Sequence, residues 1–199
     1  MTSMKPHVVC LSGSLSPGSR SERVAAWCAA ESAELGAETS LVTGAQMEFP
    51  FYRPARARPL AVKRFLSLLS SADGVVVVAP AYHGTVPGLL KNALDYVDDL
   101  QGGAQPFLDG RSVGCVAVSA GEQGAASTLT TLRTIAHALR GWPTPLGVAV
   151  SGDSEFDAGG NPTGQRLVFQ LRQMLGQVLM PATLNVHRRG LLAEHQTVA

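Results

Sequence analysis

A protein that binds duplex nucleic acid or polyphosphate usually carries an excess of basic side chains, and this sequence has none. Its 16 Lys and Arg stand against 15 Asp and Glu, a net charge of +1. Nucleic acid is therefore not expected as the main partner. Long apolar runs are missing too: the longest, Gly74 to Ala81, falls far short of the ~20 residues a membrane span needs. The apolar run after Lys5 is short and meets no small-residue cleavage site, so no secretory signal is expected. Cysteine is scarce. Cys10, Cys28 and Cys115 are an odd, widely spaced set with no CxxC pair. They offer neither a disulfide framework nor a zinc site, and are expected as buried free thiols in the reducing cytoplasm. Charged residues make up only 16% against 45% hydrophobic, which excludes a disordered chain.

What the sequence does have is alternation. Its 199 residues suit one domain. Strand-like runs at His7–Leu11, Glu38–Val42, Gly74–Ala79, Ser112–Ser119 and Leu146–Val150 alternate with helical patterns at Glu22–Leu35, Leu60–Leu69, Pro87–Leu100, Ala125–Leu139 and Gln165–Leu179. Thr85 is the expected N-cap of the third helix. The run Gly74-Val75-Val76-Val77-Val78-Ala79 is apolar at every position, the mark of a central parallel strand covered on both faces. Five β-α units describe an α/β three-layer sandwich, a doubly wound parallel sheet with helices on both faces. Residues 1–185 form this domain, and 186–199, with His187-Arg188-Arg189, read as a tail. Two loops are longer than the architecture needs, Thr43 to Pro59 and Ser151 to Thr163, and such loops tend to build sites or interfaces.

In this fold, ligands bind beyond the carboxyl ends of the strands. After the first strand comes Ser12-Gly13-Ser14-Leu15-Ser16-Pro17-Gly18-Ser19-Arg20-Ser21, leading straight into a helix. Backbone N–H groups, hydroxyls and a helix N-terminus are what a phosphate needs, and Arg20 adds a charge. The pattern is neither G-x-G-x-x-G nor a P-loop, since Ser19-Arg20 follows where Lys-Ser/Thr is required. A terminal phosphate monoester suits it better than a nucleoside triphosphate. A plain polar loop with a serine helix cap accounts for the same residues.

After the third strand comes Pro80-Ala81-Tyr82-His83-Gly84-Thr85-Val86-Pro87-Gly88. Glycines let main chain approach a planar ligand, and Tyr82 offers an aromatic face or simply packs. His83 reads as a loop residue rather than an acid or base. Lys91 and Asp95, four apart, read as a surface or interface pair. After the fourth strand comes Ser119-Ala120-Gly121-Glu122-Gln123-Gly124, again small and polar. Three such loops at one sheet edge point to a flat, phosphorylated ligand.

The stretch Pro80-Ala81-Tyr82-His83-Gly84-Thr85-Val86-Pro87-Gly88-Leu89-Leu90-Lys91-Asn92-Ala93-Leu94-Asp95 resembles the P-E-Y-N-x-x-x-P-G-x-L-K-N-A-x-D segment of the NAD(P)H-dependent FMN reductases. The first loop is similar to that family's G-S-x-R-x-x-S-x-N phosphate loop, and the likeness runs from about His7 to Met180. The resemblance implies a flavodoxin-like fold, a five-stranded parallel sheet in the order 2-1-3-4-5. It implies FMN as cofactor, with Ser14, Ser19 and Ser21 at the phosphate, Ser16 where many members carry arginine, and Arg20 beside them. Pro80, Ala81, Tyr82, His83 and Gly84 would line the isoalloxazine, with Ser119 and Gly121 closing its other side. Ala81 stands where glutamate is common and His83 where asparagine is.

The implied activity is hydride transfer from NADPH or NADH to FMN. The reduced flavin then leaves for a partner monooxygenase or passes its electrons on, and the alternative is a quinone or azo reductase that keeps FMN as a prosthetic group. No catalytic side chain and no metal are required, because the flavin carries the chemistry. Amides near Gly84 and Gly121 are expected to stabilise charge on the reduced ring. Phe49, Phe51 and Tyr52 are expected to shape the nicotinamide and acceptor pocket, and Arg53, Arg56 and Arg58 either meet a nicotinamide phosphate or stay solvated. A flavodoxin-type electron carrier is the competing class, disfavoured by the lack of acidic charge. A phospho-acceptor domain fails because Ser12-Gly13 and Ala79-Pro80 stand where aspartates are needed. The apolar helix Gly88 to Leu100 and the resemblance together point to a homodimer or homotetramer.

Overall fold

The computed structural model describes residues 5–103 and 105–197, with side chains as far as Arg188. Its strands are β1 (His7–Ser12), β2 (Glu38–Val42), β3 (Gly74–Pro80), β4 (Ser112–Ser119), β5 (Trp142–Pro143) and β6 (Val148–Ser151). Its helices are α1 (Arg20–Glu34), α2 (Leu60–Ser71), α3 (Gly88–Asp95), α4 (Glu122–Ala138) and α5 (Gln165–Thr197), with 3-10 turns at Gly44–Met47 and Tyr96–Leu100.

The sheet runs β2-β1-β3-β4-β5, every pair parallel, as expected. Its fifth position is divided. β5 pairs only with Ser112 and Val113 of β4, and β6 takes over from Val116 to Ser119. Pro143 and Pro145 explain the break, because neither can donate to a ladder.

β3 is buried along both faces, as its composition requires. Val8, Cys10, Val76, Val78 and Val116 pack beneath α1 and α5, while Val9, Leu11, Val75, Val77 and Val113 pack beneath α2, α3 and α4. All three thiols are buried and free. Among the described residues, no helix is long and apolar enough to cross a membrane.

Two boundaries differ from expectation, each for a tertiary reason. Pro87, not Thr85, caps α3, because Thr85 is engaged in a turn with Tyr82. Of the apolar residues of that segment, Leu90, Ala93, Leu94 and Val97 are core, while Leu89 is half-buried. The stretch 186–197, expected as a tail, continues α5, and residues 198–199 lie outside the described set. Pro181 sits inside that helix, but Ala182 and Val186 are buried and Asn185 Nδ2 donates to the Gly110 carbonyl at 2.9 Å. These contacts carry the helix past a residue that ordinarily ends one.

Candidate active site

The carboxyl ends of β1, β3, β4 and β6 are tied together one residue beyond the strands. The Gly13 amide donates to Val78 O at 2.8 Å, Ala81 to Val118 O at 2.9 Å, and Gly152 to Ser119 O at 3.1 Å. The serine loop, the Tyr82 loop and the Ser119 loop therefore leave the sheet side by side. Gly13 lets the first of these lie close to α3, since a Cβ there would come 2.9 Å from Leu90 Cδ2.

In the serine loop, Ser14 is buried and its Oγ accepts the Ser16 amide at 3.2 Å. Ser19 caps α1, accepting from the Glu22 amide at 3.3 Å. Ser21 is buried behind it, while Ser16 is exposed. At the end of β1, the Ser12 hydroxyl is buried with no hydrogen-bond partner among the described residues. Gly44 supports the loop from the β2 side, so closely that a Cβ there would lie 2.0 Å from Ser14 O. One anion already occupies part of the loop, because Glu22 Oε2 accepts the Gly18 amide at 3.2 Å. Arg20 does not stand alone at the loop. Its Nη1 donates to Gly152 O at 2.7 Å and pairs with Asp153, and its guanidinium lies 5.7 Å from the Phe156 ring centre.

The Tyr82 loop is a tight turn. Tyr82 and Thr85 exchange backbone bonds of 2.9 and 3.2 Å, and His83 and Gly84 have φ of +50° and +83°. Two consecutive positive φ values make a type I′ turn, which glycine adopts freely and histidine at some cost. Pro80 and Ala81 are half-buried, and Tyr82, His83 and Gly84 are exposed. α4 fixes this turn from outside: Ser127 Oγ donates to Gly84 O at 2.7 Å. Ser119 Oγ accepts the Gly121 amide at 3.3 Å, so that amide is turned to the serine rather than left for a ring. Beside Gly121 the space is open. Beyond Ser151, a cavity of about 530 Å³ opens between α4, β6 and α5, with Glu122, Glu155 and Arg166 on its walls.

Residues 43–59 behave differently from expectation. Phe49 packs on Phe65 and Tyr96, and Tyr52 on Tyr96, with ring centres 5.2–5.7 Å apart. Asn92 holds the backbone at Phe49, Pro50 and Tyr52. Tyr52 donates its hydroxyl to Asp98 at 2.7 Å, and the carboxylate accepting that bond raises the phenol above its ordinary pKa. Arg58 grips Asp99 with two bonds of 2.5 and 2.7 Å and lies over both tyrosine rings. These residues brace the subunit's own core, because their partners sit in α2, α3 and the turn after it. Phe51, 84% exposed, is the aromatic left outside.

Ser127 and the Gly152–Asp153 partners of Arg20 escaped sequence reading. Only the length of the 151–163 loop hinted at the last, and nothing about a serine on a helix announces a partner 43 residues earlier.

Residues 6–155 match the family described as NADPH-dependent FMN reductase. The chain belongs to that family. It is 30% identical over 131 residues to an NADPH azoreductase of Bacillus sp. (strain OY1-2), covering 63% of this chain and 70% of that one. It is 36% identical over 105 residues to a quinone reductase of Escherichia coli (strain K12), covering 49% of this chain and about half, 53%, of that one. In fold it is similar to FerB, a flavoenzyme NAD(P)H:(acceptor) oxidoreductase of Paracoccus denitrificans, with a TM-score of 0.70 at 20% identity over 90% of this chain and 97% of that one. The chain is thus an NAD(P)H-dependent oxidoreductase of flavodoxin-like fold whose cofactor is FMN. The residues present fit that cofactor: a serine-rich loop at a helix N-terminus for a phosphate monoester, an unpartnered Ser12 hydroxyl before it, and open space beside Gly121 for a planar ring.

Proposed function

We propose that this reductase holds FMN across the carboxyl edge and passes electrons from a nicotinamide nucleotide to a quinone- or azo-type acceptor while the flavin stays bound. The observation that carries the reading is the set of three backbone bonds that gather the serine, Tyr82 and Ser119 loops into one crevice. Ser14, Ser16, Ser19 and Ser21, with the first amides of α1, take the phosphate. Pro80, Ala81, Tyr82, His83 and Gly84 border the ring, and Ser119 and Gly121 close its far side. When bound there, the cofactor would supply the hydride chemistry between nicotinamide and acceptor. The protein's work is to bind and orient. The Ser127 contact keeps the turn rigid, and exposed Tyr82 and His83 leave one face of the crevice open to donor and acceptor in succession. The names of the azo and quinone reductase relatives support this class of acceptor.

A visible spectrum of the purified protein, followed by NADPH and NADH oxidation with and without free FMN, tests this. A yellow protein that oxidises nicotinamide only when a quinone or azo dye is added supports it. A colourless protein whose activity scales with added FMN makes flavin the substrate, released to a partner such as a monooxygenase. No flavin binding and no nicotinamide oxidation would overturn the site altogether.

A further inference from the structure

Arg20 opens α1 but reaches out of it, to the loop that follows β6. Nη1 alone makes its bonds, to Gly152 O at 2.7 Å and to the Asp153 carboxylate. A guanidinium carries five N–H donors in a fixed fork, and among the described residues Nε and Nη2 make no hydrogen bond. One turn along, Arg23 repeats the reach: Nε donates to Gly18 O at 3.2 Å and Nη1 to Asn161 Oδ1 at 3.4 Å. Two arginines thus fasten residues 152–161 to the serine loop.

The fastened loop is itself preformed. Asp157 accepts the Asn161 amide at 2.8 Å and its side chain at 3.0 Å. These bonds hold the Asp157 carboxyl below the ordinary carboxylate range. The Thr163 and Gly164 amides both donate to Glu155 O at 3.0 Å, and Glu155 Oε2 accepts the Leu167 amide at 3.1 Å in the first turn of α5. The loop is thus closed on itself by its own hydrogen bonds and joined to the start of α5. Between it and α1 lies a cavity of about 370 Å³, walled by Arg20, Asp153, Phe156, Asp157 and Gly160.

We propose that Arg20 is a bridging residue, taking the flavin phosphate with the donors it has left while Nη1 holds the 152–161 loop, so that this loop is a clasp setting how long FMN remains bound. The inference rests on the FMN site argued above. A phosphate and the clasp then stabilise one another, because each fixes the guanidinium in the orientation the other uses.

The test is the rate of FMN dissociation from the holoprotein, followed by flavin fluorescence. Asp153→Asn keeps the side chain's shape and removes its charge. The clasp predicts faster release, by about three- to fivefold for an ion pair this exposed, with no change in affinity for riboflavin, which has no phosphate. In an Arg20→Ala background, already faster, Asp153→Asn adds nothing. Limited proteolysis within 152–161 gives a second readout: FMN slows cleavage of the wild type and not of Arg20→Ala. Coulomb repulsion alone predicts the opposite sign, since removing an anion beside a phosphate slows release. Unchanged or slower release in Asp153→Asn, or an equal effect on riboflavin, overturns the clasp while FMN binding stands. A wild type that binds no FMN overturns both.

Discussion

The Ser127 hydroxyl and the Gly84 carbonyl, 43 residues apart in the chain, meet at 2.7 Å and join the second turn of α4 to the turn that follows β3. The same hydroxyl reaches Gly124 O at 3.3 Å. His83, with a positive φ, sits in a turn closed by the Tyr82–Thr85 backbone bonds, and this contact braces that turn from α4.

Ser127→Ala should therefore cost about 1 kcal/mol of stability, the net worth of one such bond. Urea denaturation measures that loss. If the turn borders the ring as proposed, the Michaelis constant for NADPH should rise at the same time. A stability loss with unchanged kinetics would remove the turn from the site.

Gly44→Ala tests the support beneath the serine loop. The added Cβ meets backbone, Ser14 O at 2.0 Å, and no rotamer relieves it. A loss of about 2–3 kcal/mol is expected from overpacking of this kind, read from the urea midpoint, together with weaker FMN binding.

Glu22 places a carboxylate in the loop assigned to the phosphate. Glu22→Gln keeps an acceptor for the Gly18 amide and removes the repulsion. FMN affinity should rise about two- to fivefold at low salt, the scale of a charge at a helix N-terminus, and the gain should shrink at high salt. A fluorescence titration at two ionic strengths decides it.

Arg58→Ala separates a structural arginine from a cofactor-binding one. With its Asp99 pair and its stacking on Tyr52 and Tyr96 gone, the protein should melt at a lower temperature. The preference between NADPH and NADH should not move, and a selective loss of NADPH would return Arg58 to the nicotinamide phosphate.

The thiols give a pH prediction. Burial pushes Cys10 and Cys115 up to about 12 from 9.0, and Cys28 well above it. Each raised value stabilises the fold below the unfolded pKa, and that contribution drains away as pH climbs from about 9 toward 12, where only the unfolded chain ionises. Urea midpoints across that range should fall, and less steeply in Cys10→Ala, Cys115→Ala protein. At pH 8 a thiol reagent should react slowly with the native chain and with all three cysteines once it unfolds.

The sheet was legible because its signal is local. An all-apolar run at 74–79 and a serine-rich strand-to-helix loop state their environments within a few residues. The N-cap of α3 was not, because Thr85 looks like a cap until its bond to Tyr82 is known. The second hold of Arg20, on Gly152 and Asp153, was not legible because those partners lie more than 130 positions away. Phe49 and Tyr52 looked like pocket residues, and Arg58 like a phosphate contact or a solvated charge, for the same reason, as their anchors Asn92, Tyr96, Asp98 and Asp99 belong to another segment. The end of α5 was misplaced because Pro181 is a local stop signal, overruled by contacts at Asn185 and Val186.

The 33 residues of α5 extend roughly 50 Å at 1.5 Å per residue, about twice the length of the eight-residue strand β4. The helix begins just past the carboxyl edge and runs back beneath the sheet, reaching the opposite edge by Asn185, which bonds Gly110 just ahead of β4. A dye, a surface linker or a fused electron donor attached near that end would be held far from the crevice at the carboxyl edge. Immobilisation through that end should leave the mouth of the crevice facing solution.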